Sequence, residues 1–377
     1  MIRFDIPRFQ PQAWTFLARS FESGRLGGAY LFYGRDGTGR WALAVALAAL
    51  LNCEKPVHSK SADVPTPCGQ CRHCRTIYGL NSEAFQAAVP IPPHKSFEEA
   101  IELTTDIINR KREEPFLILT SSAGTNIPIS IARDIHRRLS LRASDGMIRV
   151  VLFYQMEQMK LASADALLKL IEEPPADTII ILVTRRPESL LPTIQSRSRK
   201  VRLGRIPESA IVDYLREHYE VSENKATLSA RLSDGSLGRA IDMISIEDKA
   251  DDSQRAVAFM LFKSLLTDPA PQTLSELTEL VGGRDRGQAE NLLVLWQSLT
   301  RDCSNYAVTG DESTIINIDF ESEIKRLAGR FRSHQLPERI TQQIKNALAD
   351  LRRNVHIHGA LAALALRIKT QASGYMP

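Results

Sequence analysis

No stretch of this 377-residue chain approaches about 18 uninterrupted apolar residues, so a membrane-spanning helix is not expected. Its first residues, MIRFDIPRFQPQAW, lack the apolar stretch of a secretory signal. An excess of one charge is nearly missing as well: 48 Lys and Arg stand against 44 Asp and Glu, a net +4. That excludes a surface built throughout to grip a polyanion, while leaving room for a local basic patch. No internal repeat is visible, and no Ser/His/Asp or Cys/His nucleophile set stands out. The chain is expected to stay in the cytoplasm, with no membrane partner.

What is present is ordinary globular material, 43% hydrophobic and 24% charged, which excludes wholesale disorder. At roughly 100–200 residues per domain the length suggests two or three domains. Of five cysteines, three sit in PCGQCRHC, a C-x2-C-x2-C run. In a reducing compartment that spacing reads as metal binding before disulfide bonding. Cys68, Cys71 and Cys74 with Cys53 would make a four-thiolate set suited to a closed, structural Zn²⁺ site. Fourteen residues separate Cys53 from Cys68, and His58 or His73 could take its place. Cys303 stands alone and reads as a core thiol.

The first 204 residues alternate short apolar runs with helical stretches. The runs are 29–33, 116–119, 148–153 and 179–183; the helices are Trp41–Leu51, Ile131–Leu141 and Ser163–Glu173, the last ended by Pro174-Pro175. The alternation predicts an α/β domain over 1–204, a parallel sheet with helices on both faces. The 91–128 region looks like a partly helical insertion, and 55–66 and 302–314 like loops. Residues 205–250 carry only helical spacing, a unit too small to hold a core alone. From 251 to 377 the chain is helical again, and its last helix, near Ala360–Ile368, is apolar nearly all round, which predicts burial in its own domain or against another chain.

After the first strand comes Gly34-Arg-Asp-Gly-Thr-Gly39-Arg40-Trp41. A phosphate loop reads G-x-x-x-x-G-K-[ST] between strand and helix. Gly34, Gly37 and Gly39 keep the turn, but Arg40 stands for the lysine and Trp41 for the hydroxyl residue that holds Mg²⁺. Indole offers no oxygen to a hard cation. The strand 150–153 then runs into Tyr154 and Gln155, where an ATPase carries its acidic pair; Glu157 comes too late. Two losses at one site predict a degenerate loop with no functional ATP/Mg²⁺ site.

The stretch Ala166-Leu-Leu-Lys-Leu-Ile-Glu-Glu-Pro-Pro175, the strand after it, and Leu191-Pro-Thr-Ile-Gln-Ser-Arg-Ser198 closely resemble the bacterial clamp-loader subunits of the replicative polymerase, members of the AAA+ class. Gly27-Gly-Ala-Tyr-Leu-Phe-Tyr-Gly34, the cysteine run and Gly235-Ser-Leu-Gly-Arg-Ala240 resemble the same family. The resemblance implies an AAA+ domain (1–204) with a zinc module near 53–75, a helical lid (205–250) and an all-α collar (251–377). It implies work in DNA replication, in a hetero-pentameric ring with gamma/tau motor subunits and delta, loading a sliding clamp onto primer-template DNA. Motor subunits keep the loop lysine and acidic pair, and delta lacks the zinc cysteines, so the chain is similar to the non-hydrolysing members, not an enzyme in isolation. By resemblance Arg197, in Ser196-Arg197-Ser198, is an arginine finger acting in trans, since a guanidinium stabilises charge on a transferring phosphoryl group. Thr184 falls at the sensor-1 position but is expected to be a loop residue. Gly238 falls where motor subunits carry the sensor-2 arginine, and Arg239 is one position late. The basic residues of 185–205 could meet DNA phosphates or form a solvated face. The rival readings are an active motor ATPase using Arg40 and a stand-alone zinc-containing DNA-binding protein.

Overall fold

The computed structural model describes residues 6–58, 63–119, 124–139, 146–159, 168–246, 251–267, 286–331, 335–352 and 355–373. They cluster into two compact units. One comprises 1–221 with 233–242, and the other 222–232 with 243–377, so the 205–250 stretch is divided between them.

The first unit is built on a five-stranded sheet. We label its strands in chain order with the small hairpin included: β1 Gly28–Tyr33, β2 Val57–His58, β3 Pro65–Thr66, β4 Phe85–Ala88, β5 Arg149–Tyr154, β6 Thr178–Thr184 and β7 Ser198–Arg202. The sheet order is β4-β5-β6-β1-β7 with every pairing parallel, while β2 and β3 form a separate antiparallel pair. β5 and β6 are buried along their whole length, as strands covered on both faces must be. Helix Arg40–Leu51 follows β1 and is buried on every side from Arg40 to Leu50. The 91–128 region holds a helix over Phe97–Glu113, whose N-cap Ser96 accepts the N–H of Glu99. Of the expected helix over 163–173, residues 168–172 are helical and 163–167 lie outside the described residues; Leu141, the end of another, does too.

Three local expectations are corrected. Residues 116–119 form no strand; the strand beside β5 is β4. Phe116 is apolar because it is buried in a cluster with Phe9 and Tyr214, ring centroids 5.3 and 5.8 Å away. β7 was not foreseen, since three of its five residues are exposed Arg or Lys, a common way to blunt a sheet edge. The stretch 302–314 is no loop at its start: helix Arg286–Thr309 runs through it. Asp302, fully buried in that helix, accepts the backbone N–H groups of Ile316 (3.0 Å) and Asn317 (2.8 Å) and folds the next segment back.

The second unit is helical. Helices Asp251–Thr267, Arg286–Thr309, Gln335–Arg352 and Ile357–Ser373 share one core through Phe262, Trp296, Leu299, Ile340, Ile344 and Leu361. Trp296 satisfies its buried N–H on the carbonyl of Ala258 at 2.9 Å. Cys303 lies in this core, where burial pushes its thiol up to about 12. The last helix is not covered all round: Leu361, Leu364, Ala365 and Ile368 are buried, but Leu366 is 48% exposed.

Candidate functional site

Register brings the ends of three strands together. Tyr33 lies opposite Thr184 across β1 and β6, and Tyr154 opposite Val183 across β5 and β6. The glycine-rich loop leaves β1 at this edge and enters helix Arg40–Leu51 through Gly39, at φ +94. Gly37, at φ +72, also needs the left-handed region.

The side chains at this edge fill it. Trp41 is 1% exposed and meets the ring of Tyr154 edge-on, centroids 5.6 Å apart, and that of Phe85 at 5.7 Å. Burial pushes the Tyr154 phenol up to about 12. Arg40 is 2% exposed, and its guanidinium pairs with Asp36 one turn earlier. Lys111, from helix Phe97–Glu113, is also buried. Its ammonium donates to the carbonyl of Leu117 and lies 4.8 Å from the Tyr154 ring centroid and 5.7 Å from that of Trp41. Burial, and then the charge of Arg40, lower the Lys111 ammonium to about 7.

The loop is also covered by its own unit. Ser236 Oγ donates to the carbonyl of Asp36 at 2.7 Å, and the N–H of Gly238 to that of Gly37 at 3.1 Å. A side chain cannot stand at Gly238, since a Cβ there would lie 2.2 Å from the carbonyl oxygen of Phe116. Arg239, one position on, has its N–H on Ser236 Oγ at 3.3 Å. Gln10, 4% exposed, clamps the loop from the other side, donating to the carbonyls of Thr38 (3.1 Å) and Gly204 (2.9 Å).

Thr184 is the last residue of β6 and fully buried, which corrects its reading as a loop residue. Its hydroxyl donates to Glu157 Oε2 at 2.7 Å, and Glu157 Oε1 lies 3.4 Å from Arg185 Nε. Gln155, at φ +58, turns the chain so that Glu157 reaches this place. Arg197 ends the short helix Pro192–Arg197, is half exposed, and pairs with Glu172 Oε1 at 2.8 Å. Arg199, Lys200 and Arg202 are exposed along β7.

A second cluster lies after helix Arg40–Leu51. The sulphurs of Cys53, Cys68, Cys71 and Cys74 all lie within 4.8 Å of one another, with Cys68 and Cys74 3.9 Å apart. A tetrahedral zinc with bonds of about 2.3 Å puts its sulphurs about 3.8 Å apart. Backbone N–H groups already face three of them: Cys68 to Cys53 (3.3 Å), Cys71 to Cys68 (3.3 Å) and Cys74 to Cys71 (3.4 Å). Burial opposes charge on Cys68, but the N–H groups of Cys71 and Gln70 outweigh it and lower this thiol to about 7. Burial raises Cys53 and Cys74. His58 is near Asp63 (3.5 Å) and His73 near Glu54 (3.9 Å), and neither belongs to the cluster. Four soft donors in this geometry could hold a metal ion such as zinc.

A five-stranded parallel sheet, a glycine-rich loop from β1 into a buried helix, a cysteine cluster inserted after that helix and a helical C-terminal region define an AAA+-type α/β protein. The pattern of the family described as DNA polymerase III, delta subunit, matches residues 9–207, and the chain belongs to that family. It is 30% identical over 225 residues to the DNA polymerase III subunit delta' of Escherichia coli K12, a match spanning 60% of this chain and 57% of that one. To subunit delta' of Bacillus subtilis 168 it is 25% identical over 378 residues, spanning 97% and 98%. Subunit tau of E. coli K12 is 28% identical over 283 residues, 73% of this chain and 38% of tau. Among the described residues, no helix is long and apolar enough to cross a membrane.

Sequence reasoning missed Asp36, Lys111 and Gln10, and set Glu157 aside as too late in the chain. Lys111 sits in Arg110-Lys-Arg-Glu-Glu114, a charge run indistinguishable from a solvated helix face.

Proposed function

We propose that the chain is a delta-prime-type subunit of a DNA polymerase III clamp loader, one that does not hydrolyse ATP and lends Arg197 to the ATP site of an adjacent gamma/tau subunit. The observation that carries this reading is the packing of Trp41 on Tyr154. The two positions where a working loop keeps a magnesium-bound hydroxyl and an acidic residue are one aromatic contact. Lys111 and Arg40 take the remaining space, and Gly238 offers no sensor arginine.

What this subunit gives the complex is then directed outward. Arg197 lies exposed at a helix end, and its pairing with Glu172 is a surface ion pair that costs little to exchange. The lid over 205–250 and the collar over 251–377 hold it in a ring with gamma/tau and delta, in the cytoplasm at the replisome, and the assembled ring loads the clamp onto primed DNA. Cys53, Cys68, Cys71 and Cys74 hold a structural Zn²⁺ that fixes the module after helix Arg40–Leu51. A hydrolysis assay on the purified chain tests the central part. No magnesium-dependent turnover is expected, and turnover by the chain alone would instead make it a motor subunit.

A further inference from the structure

The filled loop holds an anion of its own. Asp36, the third residue of the glycine-rich loop, sets one carboxylate oxygen on the guanidinium of Arg40 and the other 3.5 Å from Nη1 of Arg185, the residue after β6. Arg40 stands where a working loop has the lysine that meets the β- and γ-phosphates. Arg185 follows the residue that ends β6 at the same edge. The second guanidinium nitrogen of Arg40, Nη1, is buried and has no hydrogen-bond partner, so an unused donor lies beside the ion pair with Asp36. Glu157 neutralises the far side of Arg185.

We infer that Asp36 is the resident oxyanion of this loop: its carboxylate takes the place of a bound phosphate and ties the loop to the end of β6 without nucleotide. The inference rests on reading the loop as one that holds no nucleotide. A carboxylate and a phosphate present the same oxygen acceptors to a guanidinium. Taking the carboxylate away leaves Arg40 and Arg185 without the acceptor they share, and a free small oxyanion such as inorganic phosphate should then bind between them, with no need for magnesium.

The test uses the full chain. ADP titrated into the unmodified protein checks the underlying reading, and saturable binding there would overturn that reading itself. Inorganic phosphate is then titrated into the unmodified protein and into Asp36→Ala, with chloride at matched ionic strength as control. Phosphate affinity should rise about tenfold or more in Asp36→Ala. The melting temperature of Asp36→Ala should fall by about 3–6 °C and recover in millimolar phosphate. An unchanged phosphate affinity in folded Asp36→Ala overturns the inference and leaves the nucleotide-free reading intact. Should Asp36→Ala not fold, the pair Arg40→Met and Asp36→Ala with Arg40→Met decides. Little added loss on removing Asp36 from the Arg40→Met background supports the inference, and a loss of the chain's fold there as well contradicts it.

Discussion

The ring of Trp41 meets the ring of Tyr154 edge-on, with centroids 5.6 Å apart and planes at 81°. One is the second residue of the helix after the loop and the other ends β5. An edge-to-face pair between two buried rings is a stabilising contact. It cannot coexist with a hydrated magnesium ion held by the same two positions. On the proposed reading, this edge of the sheet is core where a motor subunit keeps a ligand site.

If that contact is core, Trp41→Ser should behave as a large-to-small core substitution. A loss of roughly 3–5 kcal/mol is expected in urea unfolding, with no magnesium-dependent hydrolysis gained. A variant of unchanged stability would show that the indole does not hold this edge.

Lys111 makes stability depend on pH. Its ammonium is lowered to about 7 in the folded chain, by burial and then by Arg40, against an ordinary value near 10.5. Between those values the unfolded chain binds more protons, so stability rises with pH; below about pH 7 the penalty of burying the charge is complete. Urea unfolding from pH 6 to pH 9.5 should show a rise approaching about 1 kcal/mol per pH unit above pH 7. Lys111→Met should flatten it. Equal slopes in the two proteins would contradict the burial of a titrating amine.

The four sulphurs predict about one zinc per chain, measured by metal analysis of protein purified without chelator. Cys68→Ser should lose it, and Cys53→Ser should lose it to a similar degree, because Cys53 lies inside the cluster and the two nearby histidines do not. Full zinc content in Cys53→Ser would exclude that residue as a ligand.

Arg197→Ala should leave the stability of the chain within about 0.5 kcal/mol, since its contact with Glu172 is a surface pair. ATP turnover by the complex reconstituted with gamma and delta should fall about tenfold or more, with assembly intact. Unchanged DNA-stimulated turnover would contradict a role in trans.

Much of this architecture is legible in local pattern, and the failures have physical causes. The runs in β1, β5 and β6 are apolar because both sheet faces are covered, and they read directly as buried strands. β4, Phe85-Gln-Ala-Ala88, contains no β-branched residue and is a strand only because β5 offers it a parallel edge. The residue types at Trp41 and Tyr154, on which the proposed loss of a magnesium site rests, are visible in the sequence. Their buried neighbour Lys111 is not, because it arrives from a helix about seventy positions away and carries the signature of a solvent-facing residue. Glu157 looked misplaced by register counting, which assumes an extended chain; the left-handed turn at Gln155 breaks that assumption. The polar 302–309 segment looked like a loop because the partners of Asp302, the N–H groups of Ile316 and Asn317, leave no mark in sequence.

The most direct test of the account is gel filtration of the chain mixed with gamma and delta subunits. One stable assembly containing all three is predicted. Elution of this chain by itself, separate from a gamma–delta complex, would contradict its reading as a clamp-loader subunit.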